Sequence, residues 1–170
     1  GVNVSASTGM GGLALLDGPM MATLTRCAVP SLHGVTIWRK VVEPMAKARY
    51  MFGGQCQMPL TMRAPDGIAG GGAAQHSQCL EAWCTHIPGV KVVAPSNPYD
   101  AKMVLKAAIE SNDPVIYFEN KILYTEKGAM PELADEIPYT IGKAKVVREG
   151  KDVTIVSYSI GMKAALGAAE

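Results

Sequence analysis

The segment from Val90 to Phe118 constrains the fold more than any other part of the chain. Val90 to Ala94 is a short, mostly apolar run, the pattern of a strand covered on both faces. A helix start follows: Asn97 can cap, Pro98 takes the first helical position, and Asp100 favours the positive helix end. Ala101, Val104, Leu105, Ala108 and Ile109 then recur at i, i+3, i+4, i+7 and i+8, which gives one apolar face. Val115 to Phe118 reads as a second strand. Strand, helix and strand in that order close most naturally as a parallel crossover, so an α/β domain with a parallel sheet is expected.

The flanking sequence extends this unit. Gln57 to Arg63 reads as a strand, closed by Pro65-Asp66-Gly67. A glycine-rich loop, Gly67 to Gly72, leads into a predicted helix from about Ala74 to Thr85, which Pro88-Gly89 ends. Lys143 to Arg148 and Val153 to Tyr158 are predicted as two further strands around a Glu149-Gly150-Lys151 turn, and Gly161 to Glu170 as a helix cut off by the chain end. Residues 1–44 differ in character, because Gly9, Gly11, Gly12, Gly18, Pro19 and Pro30 interrupt the apolar runs and leave no period of two or 3.6.

Bulk composition narrows the partners. An apolar share of 48% and a charged share of 18% suit a globular domain of 170 residues with a sizeable core. A net charge of +1 supplies no field to attract nucleic acid or an acidic membrane surface. The apolar stretch from Met10 to Leu24 is broken by Asp17, Gly18 and Pro19 and is too short to span a bilayer. Cys27, Cys56, Cys79 and Cys84 show no disulfide spacing, which suits a reducing compartment.

Four blocks carry a resemblance: RYMFGGQ (Arg49 to Gln55), AAQHSQ (Ala73 to Gln78), HIPGVKVVAPSNPYDAK (His86 to Lys102) and DPVIYFENKILY (Asp113 to Tyr124). In that order they resemble the β subunit of the E1 component of 2-oxo acid and acetoin dehydrogenase complexes, a thiamine diphosphate family. Pyruvate and acetoin members are matched about equally. The resemblance implies a transketolase-like pyrimidine domain of α/β class, incomplete at both ends. It divides the chain into a divergent segment at 1–44, a pyrimidine-binding domain at 45–150, and at 151–170 the lead into a further domain. It also implies an α2β2 heterotetramer in which thiamine diphosphate is shared with the E1 α subunit, which holds the diphosphate and magnesium. The acyl group passes to a lipoyl group on the E2 acyltransferase. This chain has no GDG followed by Asn, in keeping with that division. A cytoplasmic location is implied for a bacterial form, and a mitochondrial matrix or plastid one for an organellar form.

In such enzymes a β-subunit Glu hydrogen-bonds the pyrimidine ring and favours the tautomer that takes the thiazolium C2 proton. Here Ser7 stands at that position, and a hydroxyl cannot make the same charge-assisted contact. The His of QHSQ lines the substrate channel in the family, which assigns His76 as the catalytic residue, with Gln75 and Gln78 in support; alternatively His76 only bonds nearby backbone. A potassium ion held by backbone carbonyls would fall to Leu60, Ala108, Ile109, Ser111 and Asp113, positions that an ordinary helix end also explains.

Other constellations speak for simpler roles. His76, Cys79, Cys84 and His86 tempt a zinc reading, but on the predicted helix Cys79 and Cys84 point about 140° apart. No GKS or GKT follows Gly70, Gly71 and Gly72, so a phosphate cradle is not expected. Arg49, Tyr50 and Phe52 suit a subunit-facing surface, Trp83 and Tyr117 a core, and Lys121, Lys127 and Lys143 plain solvated charges. Two other functions stay open at this stage: another transketolase-type thiamine enzyme, or a non-catalytic assembly module that binds E1 α or E2.

Overall fold

The structure, a computed structural model, describes residues 25–28, 41–68, 72–130, 132 and 139–170. Its strands are β1 (Thr25–Ala28), β2 (Leu60–Asp66), β3 (Lys91–Val93) and β4 (Val115–Asn120). They form one parallel sheet in the order β1-β2-β4-β3. Its helices are α1 (Ala46–Met51), preceded by a π-helical turn at Val41–Met45, α2 (Glu81–Thr85), α3 (Pro98–Glu110) and α4 (Gly161–Ala168).

The crossover forms as its sequence predicts. β3 and β4 lie side by side and parallel, with Val92 opposite Ile116, and α3 joins them. Asn97 caps α3, its side-chain oxygen accepting the Asp100 N–H at 2.9 Å. Val104 and Ala108 of the periodic face are buried, together with Met103. The Tyr117 hydroxyl donates to the Ala101 carbonyl at 2.8 Å and ties helix to strand. Val115 to Phe118 are all buried, which requires cover on both faces of the sheet. Met62, Ala64, Cys84, Ile116 and Phe118 form the core with Met45. Burying each of the larger side chains contributes about 1.5–3 kcal/mol.

β2 starts at Leu60 and runs to Asp66, three residues later at each end than expected. The shift accommodates Pro65, because pairing with β1 ends at Arg63 and a residue without an N–H is tolerated beyond it. Gly89 is fixed by a close approach. Its φ is +98°, and a Cβ there would collide with the Ala46 carbonyl, where α1 begins.

Three sequence expectations are corrected. The span 74–85 is not one helix but a 3₁₀ turn at Ala74–His76, an irregular stretch, and then α2. The Gln78 carbonyl accepts the Gly67 N–H at 3.0 Å, so it is spent on a distant partner rather than on a helical turn. The hairpin at 143–158 does not form. Val146, Val153 and Val156 are 69%, 76% and 89% exposed, and an uncovered two-stranded hairpin is marginal by itself. Trp83, expected in the core, lies at the surface, whereas Tyr117 is buried as expected.

Candidate functional site

Parallel strands send all their carboxyl ends to one edge of the sheet, and ligands of such sheets gather there. β2 ends at Asp66 and β4 at Asn120, and the two residues are paired in register. Gly67 follows with a φ of +72°, and a Cβ on it would lie 2.5 Å from Asn120 Nδ2, so only glycine fits. The loop from Gly67 returns to the same edge through the Gly67–Gln78 backbone bond.

His76 stands in that loop, on the 3₁₀ turn, and is exposed. Ala73, at φ +52°, opens the turn in a conformation costly for a residue with a Cβ. The Ser77 hydroxyl donates to the Ala73 carbonyl at 2.7 Å. Lys121, the first residue after β4, donates from Nζ to the His76 carbonyl. Lys121 is therefore not the plain solvated charge expected from the sequence; it locks the imidazole-bearing turn to the end of β4.

Beside this turn the structure gathers a group that sequence reasoning missed. Asp66, Cys79 and Glu81 bring one ligand atom each within 4.8 Å of one another. Asp66 is 1% exposed and Glu81 9%, while Cys79 faces solvent. Burial first, and then Asp66, pushes the Glu81 carboxyl up to about 7. Burial, with Asp66 and Glu81, pushes the Cys79 thiol up to about 11, against a lowering contact from the Gly67 N–H. Tyr158 lies close enough to feel Glu81, which is the first cause of its raised hydroxyl pKa. The available sequence signal was Asp66 at a strand end beside a glycine. It was obscured by assigning Cys79 and Glu81 to one continuous helix.

The positions predicted for potassium sit at the opposite, amino edge. The Thr61 hydroxyl donates to the Ala108 carbonyl at 2.9 Å, which places the start of β2 against the end of α3. The Ser111 hydroxyl donates to the Asp113 carbonyl at 2.9 Å. Leu60, Ala108, Ile109, Ser111 and Asp113 thus share one corner. Lys91 Nζ stands there too, 3.0 Å from Asp113 Oδ2 and 3.1 Å from Ser111 Oγ, and Arg49 pairs with the same carboxylate. The Lys91 hydrogen bond, helped by Arg49, holds the Asp113 carboxyl below the usual aspartate range despite partial burial. Ser7 lies outside the described residues, as does the side chain of Gln75. The tempting His and Cys set does not assemble: Cys84 is buried in the core, away from exposed Cys79.

A parallel α/β sheet with an imidazole and two buried carboxylates at its carboxyl edge defines a ligand-binding domain of the parallel-sheet class. Residues 42–127 match the transketolase pyrimidine-binding domain, just over half of the chain, and the chain belongs to that family. It is 50% identical over 130 residues to the pyruvate dehydrogenase E1 component subunit beta of Rhizobium meliloti (strain 1021), covering 76% of this chain and 28% of that protein. It is 51% identical over 134 residues to the acetoin:2,6-dichlorophenolindophenol oxidoreductase subunit beta of Bacillus subtilis (strain 168), covering 79% and 39%. Against the mitochondrial pyruvate dehydrogenase E1 component subunit beta-1 of Arabidopsis thaliana, identity is 48% over 132 residues, covering 76% and 36%. The chain thus spans between about a quarter and two fifths of the length of these relatives. A solved split-gene transketolase, an inactive beta4 tetramer, shares the fold with a TM-score of 0.58 at 22% identity, covering 78% of this chain and 39% of that one.

Proposed function

We propose that this chain is part of the β subunit of a thiamine diphosphate-dependent E1 enzyme that cleaves pyruvate or acetoin, with His76 as its catalytic contribution. The observation that carries the reading is His76 itself, exposed at the carboxyl edge of the sheet and fixed by Lys121, in a family whose domain faces the pyrimidine ring. Residues 45–150 are taken as the pyrimidine-facing domain, and 151–170 as the lead into a second domain.

Thiamine diphosphate, when bound, supplies a thiazolium that acts as an electron sink for carbon–carbon cleavage. The residues of this edge fit a partner of that kind. An exposed imidazole in that loop can give or take a proton at a substrate oxygen. Lys121 holds the turn by its backbone, so the point from which the ring projects is fixed. At Ser7, the family's glutamate position, a hydroxyl in place of a carboxylate supplies no charge-assisted hydrogen bond.

The partners follow from the same reading: an E1 α subunit holding the diphosphate and magnesium in an α2β2 tetramer, and a lipoyl E2 acyltransferase. Potassium at the amino-edge corner is part of the proposal. The Asp113 carbonyl accepts one hydroxyl and keeps a second lone pair, whereas the Ala108 carbonyl already accepts the Thr61 hydroxyl and the Ser111 N–H. Among the described residues no helix is long and apolar enough to cross a membrane. The proposed compartment is the cytoplasm in a bacterium, or the mitochondrial matrix in an organellar form.

The test is to mix the chain with a cognate α subunit and assay thiamine-dependent turnover of pyruvate and of acetoin. Turnover of one or both supports the reading. Ser7 favours a second reading, a non-catalytic assembly module, for which the complex forms without turnover. On the catalytic reading Ser7→Glu raises turnover at least about tenfold, within the range of a positioned acid; a complex still silent after Ser7→Glu supports the assembly reading.

A further inference from the structure

We propose that Asp66, Cys79 and Glu81 form a binding site for a borderline-soft divalent metal ion, zinc foremost, at the carboxyl edge of the sheet.

Three observations carry it. Asp66, Cys79 and Glu81 each present a ligand atom, all within 4.8 Å of one another. Zinc takes ligands at about 2.0–2.3 Å, so modest rotations of Cys79 and Glu81 bring the three into its shell. Cys79 is exposed and lies on the irregular segment before α2 rather than on a helix, with its thiol already turned toward Asp66.

The second observation is independent of the spacing. Both carboxylate oxygens of Asp66 are buried and lack a hydrogen-bond partner, in a side chain that is 1% exposed. A buried carboxylate left this way is costly, and the groups facing it, the Cys79 thiol and the Glu81 carboxyl, hold their protons more tightly because of it. No lysine or arginine among the described residues forms an ion pair with Asp66 or Glu81. A divalent cation satisfies the lone pairs of both carboxylates at once and offsets their charge.

The third is the donor set. Two carboxylates alone suit magnesium or calcium, whereas a thiolate beside them selects zinc and its neighbours. Binding releases the Cys79 thiol proton to solvent as the metal–sulfur bond forms. Three protein ligands leave a fourth tetrahedral position for water, and Tyr158 lies near enough to feel the charges of all three residues. The Ser159 hydroxyl is itself buried without a partner, and Ser159 holds a φ of +50°. Metal binding at these three residues needs neither His76 nor thiamine, so its test does not depend on the proposed catalysis.

The experiment titrates the full chain, freed of metal, with cobalt(II) as a spectroscopic stand-in and then with zinc. Expected are one equivalent bound, a thiolate-to-cobalt charge-transfer band that zinc displaces, and protection of Cys79 from alkylation by zinc but not by magnesium. Cys79→Ser abolishes the band, and Asp66→Asn weakens binding by at least about tenfold. Cys56→Ser, a thiol elsewhere on the chain, leaves both unchanged. Should Asp66→Asn unfold, alkylation of Cys79 in the unaltered chain still decides the matter. Absence of the band and of zinc protection, a band that survives Cys79→Ser, or equal protection by magnesium overturns the proposal.

Discussion

Gly67 and Asp113 show how much of this molecule rests on single residues at the two edges of the sheet. At the carboxyl edge Gly67 combines a φ of +72° with contact against Asn120. Gly67→Ala is expected to cost about 1–3 kcal/mol, read as a lower urea midpoint with an unchanged slope. It should also displace the loop that presents His76, because the Gly67 N–H anchors that loop to Gln78. At the amino edge Asp113 is held below the usual aspartate range by Lys91 and Arg49. A carboxylate with a depressed folded pKa contributes stability that is fully present above its unfolded value and is lost as the pH falls through the folded one. Thermal melts should therefore lose stability as the pH drops below about 4, the ordinary aspartate value. Asp113→Asn should flatten that acid limb while lowering stability at neutral pH. An identical acid limb in the variant would show that the Lys91–Asp113–Arg49 cluster does not couple to folding.

At the scale of elements, α3 is the best-determined piece. Removing its cap with Asn97→Ala is expected to cost about 1 kcal/mol in a chemical melt. A change of a few tenths would mean that tertiary packing of Met103, Val104 and Ala108 fixes the helix start without help from the cap. The same element shows what the sequence made legible. Cap, first-turn proline, apolar period and flanking strands all pointed one way, and β3-α3-β4 formed as a parallel crossover. Where the sequence misled, local propensity competed with a distant partner. Residues 74–85 have the composition of a helix, but Gly67 claims the Gln78 carbonyl and splits the span. The alternating valines of 143–158 suit strands, yet no sheet covers them among the described residues, and period alone does not supply one. The site divided along the same line. His76 is singled out by its motif and the structure places it at the carboxyl edge, whereas the meeting of Asp66 with Cys79 and Glu81 depends on a loop closure that no local pattern encodes.

At the scale of the whole molecule, the parallel sheet sorts its chemistry by edge. His76, Lys121 and the Asp66 cluster gather where the strands end, and the Lys91–Asp113–Arg49 cluster gathers where they begin. Tyr50, Met51 and Phe52 are 90%, 70% and 62% exposed on α1 and the turn after it, a surface of the kind that subunits cover. The account centres on the imidazole of His76 facing substrate at the carboxyl edge. The most direct measurement is kcat of the complex with a cognate α subunit, saturated with thiamine diphosphate, for the unaltered chain and for His76→Ala. A fall of about 10²-fold or more with an unchanged melting temperature is the expected result for an exposed proton-transfer residue. Equal kcat in the two complexes would contradict the account.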